Sequence, residues 1–210
     1  MCRLLIVKSE KEFDIGHHLR KFSEISRNST EYQGDGWGCA YLKGNEWKFY
    51  RNINPIWDDN LNQFGRTTQL VVHARSAFRN EDIKVENNMP FHDGKYVFIF
   101  NGELHGVKIR EKGRIGAEKI FNFIKKFDNG NFLEAMKKGI EIIKKKSSYV
   151  KSMNIIVSDK SNVYVGTFFN ERPEYFTLHY KKDKDLMICS ESYPKEKWNK
   201  IDNGIIRRFQ

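Results

Sequence analysis

A chain of 210 residues in which 39% are hydrophobic and 14% aromatic has the apolar side chains for a packed core, which excludes a disordered chain and fits a single domain over residues 1–210. No stretch approaches the roughly eighteen consecutive apolar residues of a transmembrane helix, and the N-terminus lacks a basic region leading into a signal-type apolar core. A cytoplasmic protein with no membrane partner is expected. The net charge of +10 lies largely in Lys125-Lys126, Lys137-Lys138, Lys144-Lys145-Lys146 and Lys181-Lys182 and reads as a solvated surface, so nucleic acid is not an expected partner.

The chain opens MCRLLIVKSE, with Cys2 directly ahead of an apolar strand over residues 3–7. A weak helix is expected over 11–26, with Phe13, Leu19, Phe22 and Ile25 on one face and His17-His18 as a surface pair. Strands over 39–43 and 46–51 flank Lys43-Gly44-Asn45-Glu46, a hairpin turn. Further strands are expected over 69–73 and 96–100, the latter ending at Asn101-Gly102, a turn dipeptide. Two amphipathic helices follow, with Ile120, Phe121, Ile124 and Phe127 lining the first and Phe132, Met136, Ile140 and Ile143 the second. The remaining strands fall over 154–158, 163–169, 175–180, 186–190 and 205–209. Strand-rich, then helical, then strand-rich order predicts an α+β fold with helices on antiparallel sheets.

Three cysteines without a CxxC pair call for neither a disulfide framework nor a metal site, and no cofactor is implied. Cys39 and Cys189 fit core positions in strands. Cys2 is different. Removal of Met1, favoured by the small residue after it, would put a thiol and a free α-amine on one residue. An α-amine of pKa about 7.7 to 8.0 can take the thiol's proton near neutral pH, so one residue supplies nucleophile and base. Asp35-Gly36-Trp37-Gly38 precedes a strand. Arg75, in VVHARSA, ends one and is expected to meet a carboxylate. VFIFNGEL closes with Asn101-Gly102, whose side-chain amide and backbone N–H can converge on one point.

MCRLL, DGWG, HARSA, NNMPF, FNGEL, the SES near residue 191 and W-x-x-I, in that order, resemble the class II glutamine amidotransferases of the N-terminal nucleophile (Ntn) hydrolase superfamily, in their compact stand-alone form. The resemblance implies a four-layer αββα sandwich of mainly antiparallel sheets. It implies Cys2 attacking the side-chain amide of glutamine or a related γ-glutamyl amide, releasing ammonia and leaving a thioester that water hydrolyses. Asn101 and Gly102 would form the oxyanion hole and Arg75 would hold the substrate carboxylate, with Trp37 and Gly38 shaping the site. Two positions depart from the pattern. Phe78 stands where the family has a small hydroxyl residue, and Gly116-Ala117-Glu118 replaces D-[ST]-E. Glu118 or Glu103 is then left to receive a substrate ammonium. With no second catalytic domain expected, the chain would act as a free amidase or deliver ammonia to a separate synthase, and a separate synthase or hydrolase subunit is a candidate partner. A catalytically silent member of the same fold is the alternative.

Overall fold

The computed structural model describes residues 1–78 and 81–210. The chain starts in β1 (Arg3–Asp14), whose edge beyond a bulge after Lys8 continues pairing through Phe13 and Asp14. This makes the strand longer, and the helix later, than the periodicity predicts. Asp14 caps α1 (Ile15–Arg27) by accepting the His17 N–H at 2.8 Å. The hairpin of β2 (Trp37–Lys43) and β3 (Glu46–Asn52) turns at Gly44 as expected, and β4 (Arg66–Ala74) follows. A short β5 (Phe91–His92) pairs with β6 (Val97–His105). Then come α2 (Gly116–Lys125), α3 (Phe132–Lys145), β7 (Tyr149–Ser158) and β8 (Val163–Gly166). The chain closes with α4 (Pro173–Phe176), β9 (His179–Lys182), β10 (Asp185–Cys189), β11 (Asn199–Lys200) and β12 (Ile206–Phe209).

Two antiparallel sheets result, ordered β11-β9-β10-β1-β4-β2-β3 and β12-β8-β7-β6-β5. Alternation along each strand decides what lies between them. On β1, Leu5 and Val7 join Leu19 and Phe22 of α1, while Leu4 and Ile6 join the core shared with the second sheet. On the second sheet, Tyr96 stacks on Phe132 of α3 at 4.1 Å, and Phe98 of β6 stacks on Phe121 of α2 at 4.8 Å. The even residues therefore face the helices, and Ile99 and Asn101 face the first sheet. The order is α1, sheet, sheet, α2 with α3, which is the αββα sandwich.

Three expectations need correction. Asn101-Gly102 is not a turn: β6 runs on to His105 because Gly102 and Glu103 keep pairing with Met153 and Ser152 of β7. The segment predicted as a strand over 175–180 begins as α4, because Pro173 takes the first helical position and the Tyr175 and Phe176 N–H groups bond the Arg172 carbonyl. His17-His18 is not a surface pair, since His18 is buried against Tyr193, its Nδ1 lying 3.0 Å from the Tyr193 hydroxyl. No helix among the described residues is long and apolar enough to cross a membrane.

Candidate active site

Cys2 sits one residue ahead of β1, where the first strand pair is Arg3 with Ala74 of β4. That register carries Cys2 alongside the residues that leave β4. The Ser76 N–H points at its sulfur from 3.5 Å, and the thiol lies 3.6 Å from the Ser76 carbonyl. The half-buried sulfur is thus fixed at the strand ends between the sheets.

DGWG explains why Ser76 is in place. The Asp35 N–H donates to the Arg75 carbonyl at 3.2 Å, the Arg75 N–H to the Gly36 carbonyl at 2.9 Å, and the Ala77 N–H to the Asp35 carboxylate at 2.7 Å. These three bonds clamp residues 75–77 on both sides of the residue that holds the thiol. Gly36 has φ +104°, and a Cβ there would lie 2.1 Å from Asn88 Nδ2. Trp37 turns to the other face of the sheet, where its indole is fully buried and donates to Asp59 at 3.0 Å. Gly38 pairs with His73 and Arg51 on the strand itself.

Arg75 is 6% exposed, and its guanidinium meets no carboxylate within ion-pair distance among the described residues. It donates to the Asp82 carbonyl at 2.9 Å and to Asn88 Oδ1 at 3.4 Å. Asn88, fully buried, is itself held by donating to the Asn52 carbonyl at 2.8 Å. Both of these partners are neutral, so among the described residues no carboxylate pairs with the buried guanidinium, and an incoming anion would complete it. The NNMPF motif thus supplies the support for Arg75 through Asn88.

Across the interface, Asn101 is fully buried with neither its Nδ2 nor its Oδ1 hydrogen-bonded. Its cross-strand neighbour Asn154 is buried to the same degree yet fully engaged, donating to the Phe176 carbonyl and accepting from the Thr167 hydroxyl, each at 2.7 Å. Met153, opposite Gly102, gives both backbone groups to Phe168, so the Gly102–Met153 pair is a non-hydrogen-bonded one. The Gly102 N–H is therefore turned away from β7, toward the edge that β5 covers only as far as Val97 and Phe98. A Cβ at Gly102 would stand 2.5 Å from the Ser152 carbonyl oxygen, so only glycine fits.

Nearby electrostatics disfavour a histidine base. His73, fully buried on β4, is pushed down to about 3 by burial and by the adjacent Arg75, which keeps it neutral. Burial raises the thiols of Cys39 and Cys189, which remain protonated core side chains. Glu118 is turned to Arg114, which binds both its carboxylate oxygens and holds its carboxyl below the usual range. Glu103 lies two residues along the same strand face as Asn101, 3.0 Å from Lys151. Among the described residues, no cluster of three His, Cys, Asp or Glu side chains could hold a metal ion.

Sequence reasoning missed Ser76, Asn88, Gln33 and Tyr175. Gln33 is fully buried and donates from Nε2 to the Met1 carbonyl at 2.6 Å, and the Tyr175 hydroxyl donates to the same oxygen. NNMPF and DGWG point toward Asn88 and the Ser76 segment. No local pattern marks Gln33 or Tyr175.

Solved structures share this fold. A glutamine aminotransferase class-II domain protein from Silicibacter pomeroyi superposes with TM-score 0.69 at 14% identity, over 99% of this chain and 94% of its own. The predicted glutamine amidotransferase of Pseudomonas aeruginosa PA01 gives TM-score 0.61 at 16% identity, over 99% and 97%. Glutamine phosphoribosylpyrophosphate amidotransferase from B. subtilis gives 0.62 at 13% identity, and this chain spans 42% of its length. No curated protein matches. A family model for class-II glutamine amidotransferases matches residues 1–139, which carry Cys2, Arg75, Asn101 and Gly102, and the chain therefore belongs to the class II glutamine amidotransferases.

Proposed function

We propose that the protein is an N-terminal-cysteine amidohydrolase, which after loss of Met1 releases ammonia from glutamine or a related γ-glutamyl amide. The observation that carries this reading is the orphaned carboxamide of Asn101, a buried donor held without a partner on the face opposite the Cys2 strand end. A buried polar group left unpaired costs about 1–3 kcal/mol, and a ligand that completes its bond recovers that cost.

In this mechanism the Cys2 amine takes the thiol proton, and the thiolate attacks the amide carbon. Asn101 Nδ2 and the Gly102 N–H receive the oxyanion, and the ammonium returns the proton to departing ammonia. Water then cleaves the thioester. Arg75 takes the substrate α-carboxylate, which supplies the anion its guanidinium lacks. Each carboxylate already carries a cation, Lys151 on Glu103 and Arg114 on Glu118, and Glu103 is better disposed to take the α-ammonium because it shares the Asn101 strand face. Trp37 supports the strand from behind, and Gly38 leaves the backbone close to Met89. The released ammonia is either free product or passes to a separate synthase in the cytoplasm.

An electrophilic glutamine analogue tests this directly. It should add one mass increment at Cys2 and abolish ammonia release, and Cys2→Ala should prevent both; modification elsewhere, or unchanged activity in Cys2→Ala, refutes it. The two hydrogen bonds that seat the Met1 carbonyl favour a second reading, a silent protein that keeps Met1. Intact mass decides between the two.

A further inference from the structure

Met1 occupies a furnished seat. Its side chain packs on the cluster of Phe169, Tyr175 and Phe176, and its carbonyl oxygen is held by Gln33 Nε2 and the Tyr175 hydroxyl. Gln33 and Tyr175 are 0% and 3% exposed, and Gln33 Oε1 has no partner. Nε2 is locked in place by the Glu31 carbonyl at 2.9 Å, and the guanidinium of Arg3 lies 4.3 Å from the centre of the Tyr175 ring. The position of this seat relative to the chemistry follows from covalent structure. The Met1 carbonyl carbon is bonded to the Cys2 nitrogen, which in the processed chain is the acid that protonates the leaving group.

A proton donor must come within about 2.6–3.2 Å of the atom it serves. The leaving nitrogen therefore lies beside the Cys2 nitrogen, one covalent bond from the Met1 seat, so that seat is within direct reach of a substituent on the leaving nitrogen. Ammonia has no substituent and needs neither an aromatic wall nor two buried donors. We propose that the Met1 seat becomes the leaving-group subsite, and that the protein cleaves γ-glutamyl amides of apolar α-amino acids in preference to glutamine. This rests on the Cys2 reading above. The apolar side chain packs on Phe169 and Phe176, and the carboxylate takes the Gln33 and Tyr175 donors that Met1 gives up. The Cys2 thiolate forms the C–S bond, the C–N bond breaks, and the amino acid's nitrogen takes the proton of the Cys2 ammonium. Water then adds to the thioester, the C–S bond breaks, and glutamate and the thiol are released.

The test compares kcat/KM for γ-glutamyl-methionine and glutamine, using protein whose intact mass shows Met1 removed. The dipeptide should exceed glutamine by at least tenfold, and Phe169→Ala should lower that ratio by at least fivefold. Tyr175→Phe, which removes one hydroxyl and keeps the ring, should also lower it and serves if Phe169→Ala fails to fold. A ratio of one or less, or variants that leave the ratio unchanged, overturns the inference. Labelling of Cys2 by the glutamine analogue separates the failures. Cys2 labelled with no dipeptide preference removes the subsite alone, whereas unlabelled Cys2 with neither substrate cleaved removes the nucleophile reading and the subsite with it.

Discussion

Asn101 and Asn154 face each other across β6 and β7, both fully buried, and they should respond to the same substitution with opposite signs in stability. Asn154→Leu deletes two 2.7 Å hydrogen bonds and strands the Thr167 hydroxyl and the Phe176 carbonyl. Unsatisfied buried groups of this kind cost about 1–3 kcal/mol each, so a loss of about 2–4 kcal/mol is expected. Asn101→Leu removes two polar atoms that have no hydrogen-bond partner among the described residues. The same accounting makes the substitution stabilising, and after allowing for the bulkier side chain the gain should be about 1–2 kcal/mol. For a chain of this length that is a rise in Tm of roughly 3–6 °C. Activity should move the other way. Loss of an oxyanion donor lowers kcat by about 10²–10³.

Thermal and urea unfolding of both variants, together with ammonia or amino-acid release, is the required assay. A stabilised, inactive Asn101→Leu beside a destabilised Asn154→Leu is the expected pair. If Asn101→Leu loses stability as Asn154→Leu does, the Asn101 amide is a structural group, and the oxyanion assignment falls. If it gains stability and keeps full kcat, the orphan is real and the oxyanion assignment is wrong.

Gly102→Ala should destabilise by about 2 kcal/mol or more, because the new Cβ would lie 2.5 Å from a backbone carbonyl that the β-ladder holds fixed; equilibrium unfolding checks this. Arg75→Lys should raise KM at least tenfold with a smaller change in kcat, since an ammonium cannot reproduce the two-pronged grip on a carboxylate; steady-state kinetics decide. Glu103→Gln should raise KM for glutamine severalfold while Glu118→Gln changes it less than twofold, and the reverse order would return the ammonium to Glu118. Stability should fall on acidification below pH 6.5. His18 is held down to about 4 by burial and by the neighbouring His17 and Lys21, so between pH 6.5 and 4 the unfolded chain binds the extra proton. Stability is complete above pH 6.5 and declines by on the order of 3 kcal/mol by pH 4 from this group, and His18→Gln should flatten that slope in pH-dependent unfolding.

What could be read from the sequence is what depends on a residue's near neighbours. Apolar alternation placed Leu4 to Val7 in a strand, spacing of three and four placed α2 and α3, and Gly44 marked its hairpin. What could not be read depends on partners brought up by the sheets. His18 looks like a surface residue until Tyr193, far along the chain, covers it. Asn101-Gly102 looks like a turn until Met153 and Ser152 are seen to carry the ladder past it. The same limit governs the site. Trp37 and Gly38 are adjacent in DGWG, yet alternation sends the indole to the α1 side, so one motif serves two faces of one sheet.

The role of Asp35 follows from this as well. Its carboxylate is the most chemically reactive group in DGWG, and a local reading leaves it idle. It holds the Ala77 N–H, and with Gly36 it fixes the segment whose Ser76 N–H meets the Cys2 sulfur. Placement of the Cys2 thiol therefore depends on the Asp35 carboxylate, which acts through the Ala77 and Ser76 backbone. Arg75 is held by a buried asparagine, and Met1 by a buried glutamine and a tyrosine. Each supporting group is distant in sequence from the residue it holds. The motifs identify the candidate reactive groups, whereas the positioning of those groups is encoded in residues that only the stacking of two sheets brings together.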